Sequence, residues 1–314
     1  MQHLKNNPMQ EEFKHYTVML NEAVEGLEPK DGFIYLDGTL GGGGHSELIA
    51  QKISPNGRLI SFDIDEVAIE VAKKRLEPYK NVTIVKRGYQ EFESVLKELN
   101  IEKITGGILL DLGASYYQLT SKTRGFSFSS DTKLDMRFDK SAKFSAYDLV
   151  NTYSEDELAD VFYYYGEERY SRRLARNIVE QRKTQPIETT SQLCEIIKKS
   201  LPYKNSRTNP ATRIFQAIRI EVNGELKNVE NTLKKVVPFL EKGARIVVIT
   251  FHSLEDRIVK RIFKELSTAK NLAQGGCEEK ILELVTKKPI YPSENEINEN
   301  PPSRSAKLRI AKKV

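Results

Sequence analysis

The chain has 314 residues, 39% of them hydrophobic and 30% charged, a composition typical of a folded protein with about two domains. This composition excludes a disordered chain, and no apolar run is long enough to predict a membrane span. The N-terminus lacks the apolar segment of a secretory signal, and Cys194 and Cys277 form no CxxC pair. We therefore expect a cytoplasmic protein without disulfides or a cysteine zinc site. The net charge of +5 permits a polyanionic partner without requiring one.

Four short apolar runs, separated by helical patterns, predict the buried parallel strands of an α/β sheet. A fifth run, residues 244–250, follows only after a long stretch of chain. Because loops of such length without structure of their own are not expected, we predict an inserted domain between the fourth and fifth strands. The predicted division is a sheet domain, residues 1–124 and 210–314, and a helical insert, residues 125–209. The first four runs are residues 33–36, 58–62, 82–85 and 107–110.

The insert carries the sequence signals of three helices. Ser154, followed by Glu157, predicts a capping box at the start of the first helix. The hydrophobic pattern then predicts helices over residues 171–182 and 190–201. Ser191 is the candidate cap of the third helix.

The segment after the insert predicts a return to the sheet. Asn209 and Pro210 are typical of a helix start and Gly224 of a helix end, so we interpret this helix as the crossover to the fifth strand. Residues 281–286 and 306–310 alternate like an antiparallel pair near the C-terminus. An antiparallel strand is therefore expected to complete a mostly parallel sheet.

A glycine-rich turn follows the first predicted strand, which ends at Asp37. Four consecutive glycines, residues 41–44, allow a sharp turn and a close approach of the backbone to a ligand. A dinucleotide site would require G-x-G-x-x-G/A, but the sixth position is Ser46 or Glu47 in the two possible registers. The turn therefore favours a nucleoside ligand such as S-adenosylmethionine over NAD. A plain connecting turn is the alternative.

Three of the predicted strands end in an acid: Asp37, Asp63 and Asp111. Ligands of open α/β sheets bind at the carboxyl ends of the strands, so we expect these acids to converge on one crevice. Asp63 is placed to accept hydrogen bonds from ribose hydroxyls, or alternatively to cap a helix. Tyr89, just past the third strand, is a candidate to pack on an adenine ring, or a core residue.

His252 follows the fifth strand at the same rim of the sheet. It is a candidate to contact a substrate base, and an equally good candidate for a purely structural contact. Ser253 and Asp256 have the spacing of a capping box and predict the start of the next helix there.

A row of arginines lies at helical spacing in the insert, with tyrosines close by. Arginines bind phosphates and aromatic rings stack on bases, so this row is a candidate RNA surface. Interleaved acids, Glu167, Glu168 and Glu180, leave open the alternative of a solvated face with ion pairs. The row consists of Arg169, Arg172, Arg173 and Arg176, and the tyrosines are Tyr163, Tyr164, Tyr165 and Tyr170.

Several motifs follow one another along the chain, among them DGTLGGGGHS, GILLDLGAS, RGFSF, LDMRF, YGEERYSRRLAR, NPATRIFQAIRIEVNGEL and ITFHSLEDRIVK. From about His15 to its C-terminus, the chain resembles the bacterial 16S ribosomal RNA cytosine-N4 methyltransferases. The resemblance implies a class I methyltransferase fold with a helical insert. It also implies a cytoplasmic enzyme that uses S-adenosylmethionine to methylate a cytidine in the decoding region of the small ribosomal subunit.

The resemblance implies the cofactor contacts, whereas the chemistry of the target amine indicates the candidates that hold the substrate. The exocyclic amine of cytosine needs acceptors to orient it, and the candidates are Asp111, the backbone carbonyls after it, and His252. The loop after Asp111 departs from the family pattern at Tyr116 and Tyr117, and a non-catalytic ribosome-assembly factor is the alternative function. No metal is required, and the sequence does not determine the oligomeric state. The implied cofactor contacts are Gly43, Gly44, His45, Asp63, Tyr89, Asp111 and Gln118.

Overall fold

A computed structural model describes residues 16–202, 209–271 and 277–314 of the chain. In chain order its strands are β1 (Ile34–Asp37), β2 (Arg58–Asp63), β3 (Val82–Lys86), β4 (Gly107–Asp111), β5 (Arg245–Thr250), β6 (Lys270–Asn271), β7 (Cys277–Glu278), β8 (Leu282–Leu284) and β9 (Lys307–Lys313). The central sheet has the order β3-β2-β1-β4-β5-β9-β8, and β6 pairs with β7 separately. β1 to β5 run parallel, and β9 runs antiparallel to both of its neighbours, β5 and β8. The expected class I methyltransferase fold, with its antiparallel C-terminal strand, is confirmed.

Helices cover both faces of this sheet and also form a second core of their own. They are α1 (Leu20–Leu27), α2 (Gly44–Lys52), α3 (Glu66–Leu76), α4 (Phe92–Glu98), α5 (Tyr116–Thr120), α6 (Ala146–Thr152), α7 (Glu155–Tyr164), α8 (Ser171–Thr184), α9 (Thr190–Ser200), α10 (Pro210–Asn223), α11 (Glu225–Val236), α12 (Ser253–Leu266) and α13 (Glu294–Glu299). Across the described ranges, we find no helix with the length and apolar character that crossing a membrane requires.

Successive strand residues point to opposite faces of the sheet, and each face is covered by helices. Leu36 and Ile108 pack with α4, α11 and α12 on one face. Tyr35 and Leu109 pack with α1 and α2 on the other. Because both faces are buried, the strands are continuous apolar runs rather than alternating ones, which is why the sequence pattern located them.

The second core lies among α6 to α10. The predicted capping box of α7 is confirmed: the Ser154 hydroxyl accepts from the Glu157 N–H, and the Glu157 carboxylate accepts from the Ser154 N–H at 2.7 Å. The predicted cap of α9 is wrong by two residues. Thr189, not Ser191, is the N-cap, because its hydroxyl accepts from the backbone N–H at the third position of the helix, Gln192.

Helix α10 begins and ends as predicted, with Asn209 as N-cap and Gly224 as a left-handed C-cap. Its interpretation as the crossover onto the sheet is wrong. Ile214 and Ile218 pack in the helical core, whereas α11 lies on the sheet through residues such as Leu233. The division of the chain into a sheet domain and an insert remains a proposal. On this packing, the insert would include α10 and end at Asn223.

Candidate active site

The glycine turn between β1 and α2 is a tight backbone corner. Gly41 and Gly43 have φ values of 49° and 82°, in the left-handed region that favours glycine. Gly44, the first residue of α2, is buried, and a side-chain carbon placed on it would lie 1.9 Å from Oγ1 of Thr17. Glycine therefore allows the chain at Thr17 to close on this turn, which holds two of the predicted cofactor contacts, Gly43 and Gly44.

Asp37 lies beneath the turn and is fully buried. Its carboxylate accepts from the Thr39 N–H at 3.0 Å and from the Ser46 hydroxyl at 2.6 Å. Burial raises the pKa of Asp37, against the hydrogen bonds from Ser46 and Thr39. Of the three acids expected to meet in one crevice, Asp37 thus faces inward and supports the turn.

Asp63, at the end of β2, is tied directly to the glycine turn. Its Oδ2 accepts from the Gly41 N–H at 2.8 Å, and its Oδ1 accepts from the Asp65 N–H at 2.8 Å. Burial raises the pKa of Asp63 to about 6, although these two hydrogen bonds lower it. Helix α3 is capped by Asp65, whose side chain accepts from the Val67 N–H, so Asp63 is not the helix cap. Its oxygens retain lone pairs for further donors.

Asp111, at the end of β4, lies on the other side of the same turn. Its Oδ2 is 3.8 Å from Nδ1 of His45, a buried residue of α2. Its Oδ1 is buried and has no hydrogen-bond partner among the described residues. Burial, followed by the charges of Asp37 and Glu255, raises the pKa of Asp111 well above its usual value. A buried acceptor without a donor is uncommon and marks a position where a ligand can supply one.

Tyr89 and Gln118 complete the set of predicted cofactor contacts. Tyr89 is half-buried, and its Cβ would lie 2.9 Å from a side-chain carbon on Gly38, the residue after β1. Gln118 is buried in α5, and its Nε2 donates to Oδ2 of Asp65 at 2.9 Å. The predicted positions therefore lie along the carboxyl ends of β1 to β4; their contact with a cofactor stays a prediction.

A buried ion pair that the sequence analysis did not single out lies behind Gln118. Nη1 of Arg124 donates to Oδ2 of Asp65 at 2.7 Å, and the two side chains are 3% and 4% exposed. Arg124 belongs to the RGFSF motif and Asp65 follows Asp63 by two residues. The motif was visible, but the pairing joins residues 59 positions apart and needs the fold.

His252 serves as the N-cap of α12. Its Nδ1 accepts from the Glu255 N–H at 3.5 Å, while the Glu255 carboxylate accepts from the backbone N–H of His252. The predicted capping box of Ser253 and Asp256 is therefore wrong: it is formed one residue earlier. Asp256 instead pairs with Arg309 of β9 at 2.6 Å. A contact of His252 with substrate stays a prediction beside this structural role.

A cluster of buried charges surrounds this cap. Arg219 donates from Nε and Nη2 to the carboxylate of Glu225 at 2.8 and 2.9 Å. Burial raises the pKa of Glu255, but the hydrogen bond and charge of His252 and the charge of Arg219 outweigh it, so that this pKa is lowered. A side-chain carbon on Gly113 would lie 4.0 Å from both Arg219 and Glu255. The cluster thus borders the loop after Asp111.

The arginine row lies on an exposed surface of the helical core. Arg169 precedes α8, and the other three arginines lie on it; all four side chains are exposed. Arg176 is 3.5 Å from Glu155 on α7. Of the acids proposed as partners for the row, Glu167 pairs with Arg257 and Glu180 with Lys183. Glu168 is buried and accepts from the Tyr170 N–H. Tyrosines beside the row are exposed as well, and these are Tyr163, Tyr164 and Tyr170.

Comparison with known proteins assigns the chain to a family. The model of the MraW methylase family matches residues 12–314. The chain belongs to this family. It is 49% identical to the ribosomal RNA small subunit methyltransferase H of Clostridium botulinum (strain Loch Maree / Type A3), covering 96% of this chain and 100% of that one. The protein of the same name from Brevibacillus brevis is 46% identical, with coverage of 96% and 98%.

Among solved structures, an rRNA methylase from Streptococcus thermophilus matches with a TM-score of 0.45. It is 11% identical, and the match covers 96% of this chain and 99% of that one. The chain spans nearly the whole length of the two curated relatives from Clostridium botulinum and Brevibacillus brevis.

Proposed function

We propose that this protein transfers a methyl group from S-adenosylmethionine to the exocyclic N4 amine of a cytidine in the decoding region of 16S rRNA. Membership of a methylase family supports the reaction class, and the names of the relatives support a small-subunit rRNA substrate. The observation that carries the proposal is the orphaned Oδ1 of Asp111, a buried acceptor beside the glycine turn. Such a subunit substrate also supports a cytoplasmic location.

The residues around the turn fit a nucleoside cofactor. Asp63 has lone pairs for the ribose hydroxyls, and Tyr89 offers a half-buried ring at the end of β3. The glycine turn leaves its backbone open to close approach. When bound, S-adenosylmethionine supplies an electrophilic methyl group on a sulfonium. The residues that would hold it are Gly43, Gly44, His45, Asp63, Tyr89, Asp111 and Gln118.

The target amine is a poor nucleophile because its lone pair is delocalised into the cytosine ring. Acceptors that hold its N–H groups orient the lone pair, and this orientation is what the protein contributes. Oδ1 of Asp111 is suited to accept one N–H, with a backbone carbonyl of residues 112–115 for the other. The proton that the amine releases on methyl transfer passes to the acceptor that holds it or to water. His252 is the further candidate at this rim.

The arginine row and its exposed tyrosines support an extended RNA contact. Guanidinium groups bind phosphates, and tyrosine rings stack on unpaired bases. The target base must be unpaired or flipped out to reach a pocket at the ends of the strands. We infer that the protein recognises a folded ribosomal surface rather than a short sequence.

Methyl transfer from labelled S-adenosylmethionine to small ribosomal subunits that lack the modification tests this function. Nuclease digestion and mass spectrometry should locate the label on N4 of one cytidine, with far less transfer to a short cytidine oligonucleotide. Label on C5, or equal transfer to both substrates, would contradict the proposal. Tight cofactor binding without any transfer would favour the non-catalytic assembly factor.

A further inference from the structure

A short non-helical segment, residues 135–138, places Met136 in the helical core; we call it the Met136 turn. Met136 is fully buried and has a φ of 58°, an unusual value for a residue other than glycine. Such a conformation persists only where surrounding contacts hold it. The turn is held from two sides by side chains that satisfy its backbone groups.

Arg124 holds the turn from the cofactor side. Its Nη2 donates to the carbonyls of Arg137 at 3.0 Å and Phe138 at 3.1 Å, while its Nη1 donates to Asp65. Nε of Arg124 is buried without an acceptor among the described residues, so the other two nitrogens fix this guanidinium. Asp65 in turn donates its backbone N–H to Asp63. One side chain therefore links the Met136 turn to the acid proposed to bind ribose.

Asn223, the last residue of α10, holds the turn from the helical side. Its Oδ1 accepts from the Phe138 N–H at 2.8 Å, and its Nδ2 donates to the carbonyl of Met136 at 2.8 Å. Nδ2 also donates to the carbonyl of Arg219 in its own helix at 2.8 Å. The contacts from Asp63 through Arg124 to α10 are thus continuous.

We propose that Asn223 and Arg124 are positioning residues for the cofactor site, which hold the Met136 turn and through it the loop that carries Asp63. This inference rests on the proposed function only in taking S-adenosylmethionine as the ligand. Neither side chain needs to touch the ligand. Because α10 packs in the helical core that carries the arginine row, the same contacts join the two proposed binding surfaces.

Asn151 provides a matched control within the helical core. Its Oδ1 accepts from the Ile187 N–H, and its Nδ2 donates to the carbonyls of Ile187 and Tyr147, all at 2.9 Å. Like Asn223, it is half-buried near the end of a helix and bonds the carbonyl four residues earlier. Asn151 and Asn223 thus make the same kinds of backbone contact, but only Asn223 contacts the Met136 turn.

Calorimetric binding of S-adenosylhomocysteine to the full chain tests the inference. Asn223→Ala should weaken binding by on the order of tenfold, whereas Asn151→Ala should leave it within about twofold. Melting temperatures should fall similarly in both variants, since both lose the same contacts. Equal affinity in the two variants would overturn the proposal.

Arg124→Lys supplies a second test, because lysine can keep the ion pair with Asp65 but cannot reach both carbonyls of the turn. Like Asn223→Ala, this change should weaken the binding of S-adenosylhomocysteine. The double variant should lose less than the product of the two fold-changes, since both act through one turn. A loss of affinity in the double variant equal to the product of the two single fold-changes would overturn the proposal. Failure of the unmodified protein to bind S-adenosylhomocysteine would instead contradict the proposed cofactor.

Discussion

Asp63 combines burial with backbone donors that suit a charged acceptor. The backbone N–H groups of Gly41 and Asp65 each donate a hydrogen bond to one carboxylate oxygen, so the orientation of the side chain is fixed before a ligand binds. A ribose diol would add two O–H donors to the remaining lone pairs. Hydrogen bonds to an ionised acceptor are shorter and stronger than neutral ones. This residue should therefore contribute strongly to cofactor affinity.

Replacing Asp63 with alanine should weaken binding of S-adenosylhomocysteine by about 1.5–3 kcal/mol, because a charged acceptor is lost. Titration calorimetry measures the change directly. Glu66→Ala removes an exposed acid nearby, paired with Lys86, and should change the binding free energy by less than about 0.5 kcal/mol. An unchanged affinity in Asp63→Ala would contradict the ribose contact.

The pKa of Asp63 also predicts how affinity depends on pH. Burial raises this pKa from its usual 3.8 to about 6, so the carboxyl gains its proton as the pH falls through 6. Ribose hydroxyls favour the ionised form, so affinity should be constant above pH 7 and fall below 6. The folding stability of the ligand-free protein should depend on pH in the opposite direction. Because the pKa of Asp63 is raised in the folded state, this residue stabilises the fold at low pH, and that contribution is lost as the pH rises through 6. Asp63→Asn should flatten the binding profile; an identical profile would assign the titration to another group.

At the level of elements, the sequence predicted those strands and helix ends that depend on residues adjacent in the chain. Buried strands are apolar runs, and the caps at Ser154, Asn209 and Gly224 depend on neighbouring residues alone. Two cap predictions failed: that of α9, where the cap is the neighbouring Thr189, and that of α12, where a contact distant in sequence contributes. Asp256 is recruited by Arg309 of β9, and the cap of α12 passes to His252.

The segment that contains Gly125 packs tightly on the Met136 turn. Gly125 has a φ of 71°, and a side-chain carbon there would lie 2.4 Å from the carbonyl oxygen of Lys133 and 2.8 Å from the backbone nitrogen of Asp135 in the Met136 turn. Gly32, with a φ of 81°, has no atom within 4 Å of that position. Gly32→Ala should therefore cost about 1–2 kcal/mol of folding stability, from the left-handed backbone alone.

Gly125→Ala should cost more than this, by roughly a further 1–3 kcal/mol, because the backbone at Lys133 must move. Urea unfolding of both variants measures the difference. Equal losses of unfolding free energy in the two variants would mean that the segment accommodates the methyl group at Gly125 without strain.

At the scale of the whole molecule, the sheet and the helical core are joined by buried polar contacts. The motifs RGFSF and LDMRF are close in sequence, but both lie far from Asn223 in the motif NPATRIFQAIRIEVNGEL. The fold brings Arg124, the Met136 turn and Asn223 together. Each partner was visible in a motif, but the pairing was not. The same holds for the acids at the strand ends: their position was predictable, whereas the inward direction of Asp37 was not.

The helical core presents the arginine row to solvent, and this arrangement predicts how the molecule binds a ribosomal surface. Arg172 and Arg173 are exposed on α8. If both contact phosphates, changing them to glutamine should weaken binding to small subunits and flatten its logarithmic salt dependence by about 0.7–0.9 per lost contact. Changing Lys234 and Lys235 of α11 to glutamine removes the same charge from a helix that packs on the sheet, and should leave the slope unchanged. Filter binding between low and moderate salt measures both slopes, beside cofactor affinity, which neither change should alter. A slope that falls equally in both variants would show that net charge, rather than this row, attracts the RNA.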